Sequence, residues 1–248
     1  MKYMKYMKYM KYMKYIILFV TTILIIYILS KLHLGYVIRD NKRVTQYTYY
    51  INLEHRKDRK EETITELKNF GIDNPIRFNA IKDKKNGHVG CSKSHLAILK
   101  EARSKKYPYV MIVEDDIEFM NPDETNRKLN NIINSNLKWD VILLSCGYHS
   151  DLNKKVNKDS VEVDGCTQTT GYIVKREYYD TLINHWEDGL KMLIKNGRGM
   201  YACDQYWKIL QEKDNFILIN PVKVYQRKSH SDLVGGVVDY KKISVKYY

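Results

Sequence analysis

Residues Tyr109–Met120 read YVMIVEDDIEFM: four apolar residues, Val110–Val113, run directly into three carboxylates, Glu114, Asp115 and Asp116. An uninterrupted apolar run of this kind predicts a strand buried on both faces, as in a parallel sheet covered by helices. Carboxylates crowded at the end of such a strand raise one another's pKa and resist desolvation unless something compensates. Water around a solvated turn is one compensation. A hard divalent cation with oxygen ligands, Mg2+ or Mn2+, is the other. In open α/β sheets ligands bind just beyond the carboxyl ends of the strands, which is where this trio falls.

Working outward, strand and helix patterns alternate. Tyr47–Leu53 is β-rich and leads into a basic segment, His55, Arg56, Lys57, Arg59 and Lys60. A helix follows over Asp58–Phe70, with Ile64 and Leu67 inward and Gly71 just past its end. Ile76–Ala80 reads as a strand and Lys82–Gly87 as a turn. Ser92 is placed to cap a helix over Lys93–Ser104, with Leu96 and Leu99 inward. Beyond the acidic strand, Asn121-Pro122-Asp123 breaks the chain before a helix near Glu124–Ile133. Strands are expected at Asp140–Ser145, Val161–Val163 (an edge), Gly171–Val174, Phe216–Ile219 and Val222–Tyr225, and helices within Arg176–Ile194 and near Asp204–Gln211. Lys154–Asp159 reads as a polar loop. The alternation predicts an α/β fold with a mainly parallel sheet flanked by helices. Neither a GxGxxG nor a GxxxxGK[ST] motif occurs, so no dinucleotide fingerprint or P-loop is available.

The N-terminus is of another kind. Residues 1–14 belong to a Met-Lys-Tyr repeat whose three-residue period matches neither helix nor strand, and no fold is assigned to this leader. Tyr15–Ser30 is uncharged and rich in Ile and Leu; with Lys31 snorkelling, residues 15–38 make a transmembrane signal-anchor. No Ala precedes Ala80, so a cleavage signature is poor, although a cleaved signal or a buried helix would share the composition. The expected location is a membrane, single-pass and type II, with residues 39–46 as a stem, 47–240 as the folded domain and 241–248 as a basic tail.

The net charge of +13 supports that division. Residues 1–43 hold nine Lys/Arg against one acid, Asp40, and the last eight residues hold three lysines, which leaves only +2 for residues 44–240. A nearly balanced body argues against a nucleic-acid partner. Cys91, Cys146, Cys166 and Cys203 have no CxxC or zinc-finger spacing and are expected as four buried or partly buried thiols, a bridge or two being open to them in an oxidising compartment.

Four blocks stand in order: Tyr50-Ile51-Asn52-Leu53 with Arg56 and Arg59, Gly90-Cys91-Ser92-Lys93-Ser94-His95, Val113-Glu114-Asp115-Asp116, and Cys203-Asp204-Gln205-Tyr206. From Tyr50 to Leu233 the series resembles glycosyltransferase family 25, which includes lipooligosaccharide galactosyltransferases and collagen hydroxylysine galactosyltransferases. The resemblance implies a GT-A (Rossmann-like) fold, a UDP-sugar donor (commonly UDP-galactose), Mn2+ or Mg2+, and inversion at the anomeric carbon. Its acceptor would be a glycan or a protein hydroxyl, collagen-like hydroxylysine among them.

On that resemblance Asp116 contacts the metal, Glu114 assists and Asp115 hydrogen-bonds the donor ribose. Asn52, Arg56 and Arg59 fall at the nucleotide end of the donor, where arginine can fork onto phosphate. Asp83 aligns with an Ala-x-Asp-Gly-like segment whose glycine is here Lys84. Ser94 and His95 are expected to open a helix whose amides receive a phosphate or sugar hydroxyl. Asp204 is the expected base, taking the acceptor's proton on the face opposite the leaving phosphate. Thr169, Thr170, Gly171 and Tyr172 would line the acceptor side, His230 would return to the metal, and Arg227 or Lys228 would close over the diphosphate. A phosphate-ester hydrolase using the same acidic turn, or a degenerate sugar-binding module of the same fold, are the alternatives; the additional clustered histidines a hydrolase favours are absent. No Asn-x-Ser/Thr sequon marks the body as lumenal.

Overall fold

Val110, Met111, Ile112 and Val113 are fully buried, and the sheet around them has helices on both faces. The computed structural model describes residues 2–147, 156–231 and 235–241. Met1, Lys154, Lys155, Asp232, Leu233 and the tail from 242 onward lie outside the described residues. In chain order the elements are α1 (Lys2–Val44), β1 (Thr48–Asn52), α2 (Lys57–Asn69), β2 (Ile76–Asn79), α3 (Gly87–Ser104), β3 (Tyr109–Glu114), β4 (Ile117–Phe119), α4 (Pro122–Ile133), β5 (Val141–Leu143), β6 (Ser160–Glu162), β7 (Gly171–Lys175), α5 (Tyr179–Asn196), α6 (Cys203–Tyr206), α7 (Lys208–Gln211), β8 (Phe216–Ile219), β9 (Val224–Gln226), β10 (Ser229–Ser231) and β11 (Gly236–Val238).

Seven strands form one sheet in the order β2-β1-β3-β7-β5-β8-β6. Alternate residues of each strand separate onto two faces, as the strand period requires. Tyr49, Ile51, Val110, Ile112, Tyr172 and Val174 meet Leu96 and Leu99 of α3 and Leu182 and Trp186 of α5. Tyr50, Met111, Val113 and Ile173 meet Leu67 and Phe70 from the α2 side and Leu129 and Ile132 of α4. Each helix therefore buries one stripe against the sheet.

The sheet is less uniform than the alternation implies. β2, β1, β3, β5 and β8 run one way, while β7 lies antiparallel between β3 and β5, and β6 is antiparallel at the edge. β6 and β7 thus run in the same direction as each other, joined without a described helix. β4 leaves the sheet and pairs antiparallel with β9.

Other expectations shift in detail. Gly71 does sit at φ +92° after α2, a conformation that favours glycine. Ile64 is exposed; the inward stripe of α2 is Arg59, Thr63 and Leu67. The Asp204–Gln211 helix is divided into α6 and α7. Cys146 and Cys166 are joined as a disulfide across 5.4 Å between Cα atoms, so two cysteines remain thiols, not four.

The chain divides into two compact units, residues 1–42 and 43–248. In the first, the Met-Lys-Tyr repeat is helical, contrary to the unassigned reading, and the helix also runs through most of the expected stem. Met and Lys are good helix formers and neither Gly nor Pro interrupts the repeat. Tyr12–Lys31 is exposed and apolar enough, with a mean hydropathy of 2.1, to cross a membrane by length and composition.

Candidate functional site

β1 has β2 on one side and β3 on the other, so successive connections leave it in opposite directions. Such a reversal opens a crevice at the carboxyl ends of the strands. Asn52 ends β1 and Glu114 ends β3, with Ile51 and Glu114 in register. A cavity of about 190 Å³ lies there, and Glu114, Asp115 and Asp116 all line it.

The three carboxylates are held differently. Glu114 accepts from Thr169 Oγ1 at 2.6 Å and from Gln226 Nε2 at 3.0 Å. His95 Nε2 lies 3.3 Å from Glu114 Oε1, near enough for an ion pair but off hydrogen-bond alignment. Burial opposes the charge of Glu114, but His95, Thr169 and Gln226 together hold its pKa below the usual range. Burial likewise disfavours protonated His95, and the Glu114 carboxylate overrides it, so its pKa is raised. Asp115 accepts from Asn52 Nδ2 at 2.8 Å and Arg59 Nη1 at 2.7 Å. Burial raises its pKa, with Arg59 and Asn52 acting against the rise.

Asp116 is the least satisfied. Its Oδ2 is 3.3 Å from Arg59 Nη1, while its Oδ1 is buried and accepts no hydrogen bond. Burial, then repulsion from Glu114, pushes its pKa up to about 7, with Arg59 pulling the other way. An orphaned carboxylate oxygen on a cavity wall is what a divalent cation would satisfy, and the oxygen donors of Asp116 and Glu114 suit a hard ion.

Helix α2 delivers the countercharge. Arg59 and Thr63 are one turn apart on its inward stripe, and Thr63 Oγ1 donates to the Asp115 carbonyl at 2.9 Å. Arg59 Nη2 also reaches Ser229 Oγ at 2.5 Å and the His230 carbonyl at 2.9 Å. Asn52 is spent on the scaffold: besides Asp115 it donates to the Arg56 carbonyl, and its Oδ1 accepts from Arg77. Arg56 pairs with Asp58 and donates to the His230 carbonyl, and is not on the cavity wall.

Helix α3 begins at Gly87, capped by Asn86, whose side chain accepts from the His88 amide. Ser94 and His95 are therefore two turns inside the helix, and the expectation that they open it is corrected. Their amides lie in the helical ladder, out of reach of a ligand. Ser94 Oγ accepts from the Ile81 amide and donates to the Gly90 carbonyl, and His95 Nδ1 bonds Tyr172 Oη at 2.8 Å. Both line the cavity as buried side chains. Asp83 lines it too, with Oδ1 accepting from the amides of Lys85 and Asn86, which lower its pKa.

Asp204 does not cap α6: its Oδ2 accepts from the Gln168 amide at 3.3 Å and from Gln205 at 3.1 Å. Burial raises its pKa. The expected metal role of His230 finds no support in its placement, because the residue is exposed in β10 and it is its carbonyl that Arg59 holds. Arg227 pairs with Glu62 and donates to the Ile117 carbonyl, which commits it to the scaffold, and Lys228 is exposed. Two site residues escape sequence reasoning, Gln226 and Tyr240, both on the cavity wall; Tyr172, expected on the acceptor side, stands behind His95. The β4–β9 pairing that sets Gln226 beside Glu114 has no local signature.

With this geometry in place, residues 85–194 match the sequence model of glycosyltransferase family 25 (LPS biosynthesis protein). That stretch contains the α3 block and the acidic trio, while the Asn52–Arg59 and Asp204 blocks lie outside it. A search of curated proteins by sequence found no match. Among solved structures, the chain is similar to the glycosyltransferase GlyE of Streptococcus pneumoniae, at 7% identity and TM-score 0.47, over 81% of this chain and 62% of that one. It is similar to a glycosyltransferase involved in glycosylation of the major capsid of PBCV-1, at 11% identity and TM-score 0.45, over 71% and 83%. The catalytic domain of Drosophila beta1,4galactosyltransferase 7, complexed with xylobiose, gives 12% identity and TM-score 0.44, over 80% and 79%.

Proposed function

We propose that this chain, whose residues 85–194 match the family 25 model, is a glycosyltransferase that transfers a hexose, galactose first among candidates, from a UDP-sugar to a hydroxyl of a glycan or protein acceptor, with inversion and a divalent metal. The observation that carries this reading is Asp116 Oδ1, buried and unpaired on the cavity wall at the end of β3. Asp116 and Glu114 would hold Mn2+ or Mg2+, which neutralises charge on a departing diphosphate. His230 is left out of that set.

The chain's own residues supply the rest. Arg59 and Asn52 fix Asp115, so that the ribose-facing carboxylate does not reorient as donor binds. Glu114, locked by Thr169 and Gln226, keeps the strand end rigid. Asp204, on a separate segment, takes the proton of the acceptor hydroxyl, and the burial that raises its pKa strengthens it as a base. We assign the body to residues 47–240 and the Tyr12–Lys31 stretch to a single-pass, type II membrane anchor.

The test is UDP release from UDP-galactose and UDP-glucose with Mn2+. Release by the native chain, lost with chelator and lost in Asp116→Ala, is expected. Phosphate release from simple esters, or no release and no protection by UDP against thermal unfolding, would overturn the assignment in favour of a hydrolase or a binding module respectively.

A further inference from the structure

The face of α3 turned to the cavity carries sulfur as well as imidazole. Cys91 and His95 stand one turn apart on α3, and Cys203 opens α6. The two Sγ atoms and a ring nitrogen of His95 lie within 4.8 Å of one another. Both cysteines are thiols, outside the Cys146–Cys166 disulfide. We propose that Cys91, His95 and Cys203 bind a thiophilic divalent cation, Zn2+, in a second metal site beside the carboxylate trio that ties α6 to α3.

The donor set decides the metal class. Two thiolates and an imidazole suit Zn2+ and are a poor match for Mn2+ or Mg2+, which prefer oxygen. Zn–S and Zn–N bonds of about 2.3 and 2.0–2.1 Å put tetrahedral donors roughly 3.5–3.8 Å apart, so the three atoms need close by only about an ångström. His95 is prepared as a ligand: Tyr172 Oη holds Nδ1 at 2.8 Å, the outer-sphere bond that ligating histidines usually make. Its Nε2 makes no hydrogen bond and stands 3.3 Å from Glu114 Oε1, so the carboxylate faces the ion from the outer side.

Cys203 is held as firmly. Its amide donates to Ser92 Oγ at 3.1 Å and its carbonyl accepts from Trp186 Nε1 at 3.0 Å. Cys91 is half-buried on the cavity wall and gives the ion a way in from solvent. On binding, each thiol gives its proton to solvent and a sulfur–metal bond replaces it, and an imidazolium at His95 likewise gives up the proton of the nitrogen that takes the metal, with no change of oxidation state. Asp204 follows Cys203 directly, so the ion would also fix the segment on which that carboxylate stands. The site itself is independent of whether Asp204 acts as a base.

The full chain, purified in detergent with reductant, is loaded with Zn2+ and dialysed against metal-free buffer. Retention of one zinc per chain by elemental mass spectrometry is expected, with loss in Cys91→Ser and in Cys203→Ser. Asp116→Asn should retain zinc, which separates this site from the carboxylates and from the transferase reading. Co2+ in place of Zn2+ should give a near-ultraviolet sulfur-to-metal charge-transfer band in the native chain and in Asp116→Asn. Should a cysteine variant not fold, the native chain still decides: Zn2+ should block alkylation of Cys91, and chelator should restore it. No retained zinc, zinc retained equally by both serine variants, a Co2+ spectrum without the sulfur band, or Cys91 alkylated at the same rate with Zn2+ overturns the proposal, as does a Cys91–Cys203 disulfide in the reduced, zinc-loaded sample.

Discussion

Arg59 places one guanidinium between Asp115 and Asp116 and ties both to the chain at Ser229 and His230. Its side chain is only 10% exposed, so solvent does little to screen the pairing. Removing one partner of a buried ion pair strands the other and costs about 3–5 kcal/mol. Arg59→Met keeps the aliphatic stem and removes the charge, so urea unfolding should show a loss near that range. Adding Asp115→Asn should recover part of it, since an amide needs no countercharge. Mn2+ should raise the melting temperature more in Arg59→Met than in the native chain, because the ion then supplies the missing positive charge. An unchanged urea midpoint in Arg59→Met would show that the carboxylates are solvated and not dependent on this residue. The sequence announces the trio and the basic segment, because charge at the end of an apolar run is a local pattern. It does not announce which arginine turns inward; that depends on the stripe through Arg59, Thr63 and Leu67, in which polar residues occupy positions an apolar periodicity would assign elsewhere.

At the scale of elements, α3 shows where local reading fails and why. Its first turns contain Gly87 and Gly90, which lower helix propensity, so the segment reads as a turn and Ser92 as a cap. Tertiary contact wins: a Cβ on Gly90 would sit 2.3 Å from the Ile81 carbonyl oxygen and 2.9 Å from the Asp83 amide nitrogen. Glycine here lets the helix press against the 81–83 backbone, which is cavity wall. Gly90→Ala must displace that backbone, and overpacking of this kind costs about 1–3 kcal/mol. The expected outcome is a lower denaturant midpoint together with a raised KM for donor. A variant that loses stability but keeps the native donor KM would mean that the close approach serves packing alone. The disulfide was hidden for a related reason. Cys146 follows β5 and Cys166 precedes β7, so the two meet only because β7 inserts antiparallel beside β5.

At the scale of the molecule, two units of different surface chemistry share one chain. Residues 43–248 bury a two-faced core, whereas Tyr12–Lys31 is apolar and exposed along its length. Twenty helical residues at 1.5 Å each span about 30 Å, the thickness of a bilayer's hydrocarbon core. Burying such a stretch in lipid removes its apolar surface from water, and the lysines of the repeat and Lys31 then fall at the two ends, where charge meets headgroups. The division between the N-terminal helix and the body was legible from composition and from the nearly neutral body. The helical state of the repeat was not, because its period hides good helix formers. Expressed in full, the chain should sediment with membranes and resist extraction by alkaline carbonate, while residues 44–248 should stay in the soluble fraction. N-terminal sequencing of the membrane-bound chain should find the apolar stretch retained. A mature chain beginning beyond Lys31 and free in solution would show a cleaved signal and a body without a lipid tether.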